Sequence, residues 1–156
     1  MGDPRQKSQR RSHGKPARPL RNFTFYLDEN FDCAEVKAAL SKAHIKFRLY
    51  SDHFDRGEVD ERILELCGRH GWAMLTCDRK NRYRELERKI VLQFRVRQFV
   101  FSGNLGAVQL AQLLIDSYLE MRKFARENER PFIAVVTKAG NIYLRMDRKG
   151  NVVTRG

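Results

Sequence analysis

The sequence predicts an α/β domain of three layers, with a largely parallel central sheet between helices and a short antiparallel meander at its C-terminal end. Three observations lead to this fold. From Phe23 onward, apolar runs of strand length alternate with segments of helical periodicity, the pattern left by successive βαβ units. The run "FTFYL" is apolar at nearly every position, as a strand covered on both faces would be. After the last long helical segment the chain turns to short apolar runs separated by "KAGN" and "DRKGN", a spacing suited to hairpins.

The elements follow in order. Residues 1–21 hold three of the four prolines and seven basic side chains against the single acid Asp3, with too little apolar surface to offset chain ordering, so they are predicted to form a basic disordered tail. Residues 22–156 are predicted to form one domain, with the meander beginning at about residue 131. Within it, "FTFYL" is the first strand. Val36, Ala39, Leu40 and Ala43 then recur at helical spacing, and Ile45, Phe47 and Leu49 alternate with polar neighbours as in a second strand. "SDHFDRG" has loop composition. Val59, Ile63, Leu66 and Cys67 define a helical stripe that stops at Gly71, ahead of the strand "WAMLT". "YRELERKI" reads as a short charged helix and "RQFVFS" as a buried strand. From Leu105 to about Ala125, the apolar face Val108, Ala111, Leu114, Ile115, Tyr118 and Leu119 predicts a long helix lying on the sheet. "FIAVVT", "NIYLRM" and "VVT" complete the meander.

Composition narrows the classes of function. At 156 residues and 42% hydrophobic content, the chain can build a single core. No run approaches the roughly 18 apolar residues of a membrane span, and no apolar stretch follows Arg10 and Arg11 closely enough to act as a secretory signal, so the expected location is cytoplasmic. Cys33, Cys67 and Cys77 are odd in number and widely spaced, which argues against a disulfide framework and favours reduced structural thiols. The four histidines are equally scattered, so a local zinc site is not expected. The net charge of +12 favours a polyanionic partner, and about half of that excess lies in the tail, which suits RNA, DNA or an acidic protein as well as a solubilising extension.

In an open parallel sheet, ligands bind beyond the carboxyl ends of the strands, where strand order switches. Asp28 and Glu29 follow the first strand, and Asp78 follows "WAMLT". If those strands are neighbours, Asp28 and Asp78 share one edge, and Asp60, in the first turn of the helix leading into "WAMLT", adds a third acid if that helix starts close to the same edge. Three carboxylates without a histidine make a poor nucleophile triad and a good site for a hard cation, Mg²⁺ or Mn²⁺, which suits phosphodiester hydrolysis. Arg79, Lys80, Arg82 and Arg84 come immediately afterwards and are the candidate nucleic-acid contacts. Each residue also has a plainer role: Asp28 as a helix cap, Asp60 as an acid favoured by the helix dipole, and "DRKNRYR" as a solvated surface.

In "FYLDEN", "VDERILELCGRHG" and "MLTCD", the order of motifs from Phe23 to Asn104 resembles the PIN-like domain family, especially the small VapC-type toxin ribonucleases. The resemblance implies a Mg²⁺- or Mn²⁺-dependent endoribonuclease whose catalytic and metal-binding acids are Asp28, Asp60 and Asp78, with RNA as substrate and a cognate antitoxin as protein partner; a homodimer is a further candidate. A fourth acid found in the family is missing here. Asn81 is the nearest polar residue, and Glu29 or Asn104 are alternatives for completing the metal site. Two other functions compete. One is an inactive PIN-like protein that binds nucleic acid. The other is a receiver-like phosphoacceptor using Asp28, Glu29, Asp78 and Lys138, disfavoured because Lys138 is expected in an antiparallel region.

Overall fold

The computed structural model describes residues 23–49, 60–77 and 84–153, with the backbone alone for Asp60 and Arg84. The predicted tail, the loop "SDHFDRG" and the segment Asp78 to Tyr83 lie outside the described residues. The elements run β1 (Phe25–Leu27), a 3-10 turn (Glu29–Phe31), α1 (Ala34–Lys42), β2 (Phe47–Leu49), α2 (Asp60–His70) and β3 (Ala73–Cys77). They continue with α3 (Arg84–Phe94), β4 (Arg97–Phe101), α4 (Ala107–Glu127), β5 (Phe132–Val136) and β6 (Ile142–Met146).

The strands form one sheet in the order β2-β1-β3-β4-β5-β6, parallel throughout except for β6, which is antiparallel to β5. Strand alternation divides the core in two. Phe25, Leu27, Leu75, Phe99 and Phe101 face α1 and α4, where they meet Val36, Leu40, Leu110, Leu114 and Met121. Tyr26, Met74, Val100 and Ile133 face α2 and α3, where they meet Ile63, Leu64, Cys67, Ile90 and Val91. Because helices cover both faces, β1 is buried at all of its positions, which explains why "FYL" shows no polar alternation. Burial pushes the Cys67 thiol pKa far above its ordinary value, so this cysteine acts as a core side chain.

The α2–α3 contact depends on a missing side chain. A Cβ added at Gly68 would collide with the carbonyl oxygen of Phe94 and lie 3.0 Å from its Cβ. Gly68→Ala is expected to destabilise the domain by about 1–3 kcal/mol through overpacking, read as a drop in the midpoint of thermal unfolding; an unchanged midpoint would show that the two helices can part without loss. At the end of α2, Arg130 Nη1 donates to Gly68 O and Arg97 Nη1 to Gly71 O, each at 3.0 Å, so two cations sit on the negative end of this helix. Desolvation, and then the neighbouring Arg130 charge, lower the Arg97 pKa from its ordinary value.

Several expectations are corrected. α3 spans 11 residues and is longer than "YRELERKI". In α1, Ala43 is an exposed C-cap residue, and in α2 the fully buried residue beside Cys67 is Leu64, with Leu66 at the margin. In α4, Val108 is 70% and Leu119 73% exposed, so the predicted face is rotated. The buried stripe runs Leu110, Leu114, Ser117, Met121 and Ala125, with Ser117 Oγ donating to Leu113 O at 2.6 Å. A wide apolar spread at helical spacing does not identify which of its edges meets a neighbour; α1 decides it by packing along α4.

The C-terminal region also differs. β5 joins the parallel sheet beside β4, and only β5–β6 is antiparallel; the predicted third strand reduces to a Met146–Val152 bridge. A further consequence concerns handedness. The β3-α3-β4 and β4-α4-β5 connections advance in the same direction along the sheet, but α3 and α4 cover opposite faces, so the two crossovers are of opposite hand. One of the two therefore departs from the right-handed crossover that parallel strands strongly prefer. The physical reason is burial. Without α4, only α1 would cover the face carrying Phe99, Phe101, Phe132 and Ala134.

Candidate functional site at the strand ends

The switch in strand order falls between β1 and β3. The chain goes from β1 outward to β2 and returns on the other side of β1 as β3. Leu27 is in register with Leu75, so the strands leading to Asp28 and Asp78 are parallel neighbours, about 4.8 Å apart. Asp78 itself, with Arg79, Lys80, Asn81 and Arg82, lies outside the described residues.

Asp28 carries out the capping role expected of a strand-end acid, but on a different element. Its Oδ1 accepts the Asn30 N–H at 2.9 Å and its Oδ2 accepts Asn30 Nδ2 at 3.4 Å, so it caps the 3-10 turn rather than α1. α1 starts after Cys33, which makes no side-chain cap hydrogen bond. The turn is fastened to the sheet by Phe31, which is fully buried and meets Phe101 edge-to-face with ring centroids 5.3 Å apart. The turn also packs against β3. Asp28 and Asn30 are half-buried and Glu29 is exposed along this rim. Asp32, just beyond, pairs with Lys37 at 2.9 Å.

Asp60 is the first residue of α2, and the two ends of this helix can be located. Trp72 N–H donates to Cys67 O and Ala73 N–H to Thr24 O, so α2 ends beside the amino ends of β1 and β3. Its 11 residues span about 16 Å at 1.5 Å per residue, close to the length of β3, which carries its first turn to the carboxyl edge. Arg84 is the first residue of α3, and Asn104 is exposed in the loop after β4.

The donors expected around an ion are hard oxygens, the chemistry that Mg²⁺ and Mn²⁺ prefer. A carboxylate has about four acceptor positions, so the two contacts to Asn30 are compatible with Asp28 also holding a cation. Among the described residues, no three His, Cys, Asp or Glu side chains gather as a metal site. The expected cluster would also need Asp78 and the side chain of Asp60, which are not described.

Sequence reasoning placed Lys138 beside the acids only in the disfavoured phosphoacceptor function. It lies in the turn of the antiparallel β5–β6 pair, as expected, and because β5 is also parallel to β4 that turn falls at the same edge as Asp28. Its stem crosses Gly103, where φ is +90° and a Cβ would collide with Lys138 Cε. No local signal could have revealed this, because the direction of β5 depends on the face taken by α4.

These features define a doubly wound α/β domain with an acid-bearing carboxyl edge at its switch point. A family model described as a PIN like domain matches residues 23–103, and the chain belongs to the PIN-like domain family. The match runs from the residues before β1 to the exit of β4, leaving α4, β5, β6 and Lys138 beyond it. No curated protein and no solved structure matches the chain. PIN-like domains are in general metal-using nucleases that bind nucleic acids. No helix among the described residues is long and apolar enough to cross a membrane.

Proposed function

We propose that the protein is a divalent-metal-dependent endoribonuclease that hydrolyses RNA phosphodiester bonds at the carboxyl ends of β1 and β3. The chief support is the Leu27–Leu75 register, which sets the strands preceding Asp28 and Asp78 side by side in a PIN-like domain. Asp28, Asp60 and Asp78 would hold Mg²⁺ or Mn²⁺, with Glu29, Asn81 or Asn104 completing the set of oxygen donors. When bound, the ion supplies an activated water and neutralises charge on the phosphoryl oxygens. Asp28, pinned through the turn to Phe31, keeps its carboxylate oriented before substrate arrives. Arg79, Lys80, Arg82 and Arg84 would draw the phosphate backbone toward the acids.

The purified protein is expected to cut structured RNA with Mn²⁺ or Mg²⁺ and to stop when EDTA removes the ion, with activity returning on metal addition. RNA binding without cutting under any metal condition would instead assign the inactive, nucleic-acid-holding function. The resemblance to VapC-type proteins extends the proposal to a toxin held by a cognate antitoxin, with growth arrest on induction as its signature.

Lys138 supplies an observation in favour of the phosphoacceptor alternative, since it shares the rim with Asp28. The PIN-like match and the net charge of +12 weigh toward a polyanionic substrate. Labelling of Asp78 by a small phosphodonor would reverse that preference.

A further inference from the structure

We propose that Lys138 is a phosphate-binding residue for an RNA strand lying along the carboxyl rim of the sheet. The inference takes its substrate class from the nuclease proposal and adds a contact beyond the family match, which ends at Gly103.

The backbone at Lys138 is held in place. Thr137 N–H donates to Asn141 O at 2.9 Å, Gly140 N–H to Thr137 O at 2.9 Å and Asn141 N–H to Thr137 Oγ1 at 3.1 Å, closing the turn between β5 and β6. On the other side, Ser102 N–H donates to Val136 O at 3.0 Å, tying the exit of β4 to the exit of β5. The rim at this corner is thus a rigid shelf.

The side chain does not simply extend into solvent from that shelf. Relative to a Cβ built at Gly103, Lys138 Cγ and Cδ lie at 3.2 Å and Cε is closer still. The stem therefore lies across Gly103, and the seat exists because residue 103 has no side chain. As the distal carbon makes the closest approach, the stem runs from the end of β5 back over the exit of β4, the strand that lies between β5 and β3 in the sheet. A lysine that covers backbone with its stem keeps its charged head in water, and among the described residues no carboxylate pairs with Lys138.

Distance sets what such a cation can reach. β4 lies two strands from β1 in the sheet, about 10 Å at 4.8 Å per strand. That is the rise of about three stacked nucleotides at 3.4 Å each. Lys138 is therefore placed to take a phosphate a few nucleotides from the acids, as a point charge with rotatable donors. The exposed Asn104 and half-buried Ser102 border the same seat as neutral polar groups.

The ordinary role of an exposed lysine is solvation alone, and salt dependence separates the two. Binding of a labelled single-stranded RNA to the full chain would be followed by fluorescence anisotropy across a range of salt concentrations, with EDTA present so that no cleavage occurs. Each phosphate neutralised on a single strand contributes about 0.7 to the slope of log K against log salt. Lys138→Ala is expected to reduce that slope by about 0.7 and Lys138→Arg to retain it, with the melting temperatures of both variants matching the wild type. A wild-type slope in Lys138→Ala, or a wild-type chain that binds no RNA, would overturn the proposal. Failure of the nuclease proposal looks different: a slope that drops on loss of Lys138 in a protein that cuts nothing with Mn²⁺ supports the phosphate contact and removes the activity.

Discussion

Asp28→Asn is expected to lower RNA cleavage by about 10²-fold or more while leaving the fold intact, the loss expected when a charged group is removed from a site that stabilises developing charge. This substitution separates two roles that the carboxylate could combine. As a cap, Asp28 needs one side-chain oxygen to accept the Asn30 N–H at 2.9 Å, and an amide oxygen can do this almost as well. As a metal ligand it needs the negative charge, which Asn lacks. The thermal midpoint should therefore change by no more than a degree or two, a few tenths of a kcal/mol for a protein of this size. Asp78→Asn is expected to abolish cleavage in the same way. Full activity in the folded Asp28→Asn protein would leave the acid as a cap and nothing more.

Phe31→Ala is expected to produce the largest stability loss at the rim, about 3–5 kcal/mol for emptying a buried aromatic site. Phe31 is fully buried against Phe101, the last residue of β4, and it anchors the turn that Asp28 caps. Thermal denaturation should move down by roughly 10 °C or more. Since the same turn orients Asp28, the milder Phe31→Leu tests positioning: it should remain folded at assay temperature and lose cleavage beyond what its unfolded fraction explains. If Phe31→Leu is destabilised but cuts at the wild-type rate, the anchor serves stability alone.

Much of the architecture was legible before any coordinates. Buried runs such as "FTFYL" and "RQFVF" announce strands covered on both faces, and the stripes in α1 and α2 announce helices with one apolar side. Their alternation implies parallel neighbours, and the β1–β3 pairing agrees with it. The acids Asp28 and Asp60 could be singled out because strand ends and helix starts are recognisable locally. Side chains beyond the strand ends obey no periodicity, so the capping of the 3-10 turn by Asp28, rather than of α1, could not be read in the same way.

Residue pattern alone was enough to locate the five parallel strands and four helices of the described residues to within a few residues, and to show that an acid closes the first strand. Packing of the whole core was needed to set which edge of the α4 apolar face is buried, that β5 runs parallel to β4, that α4 covers the α1 face by a crossover of opposite hand, and that Lys138 lies back over Gly103. The reason is physical. Periodicity records the environment of a side chain within its own element, whereas the direction of a neighbouring strand depends on which sheet face the intervening helix must cover, a choice made by the whole core at once.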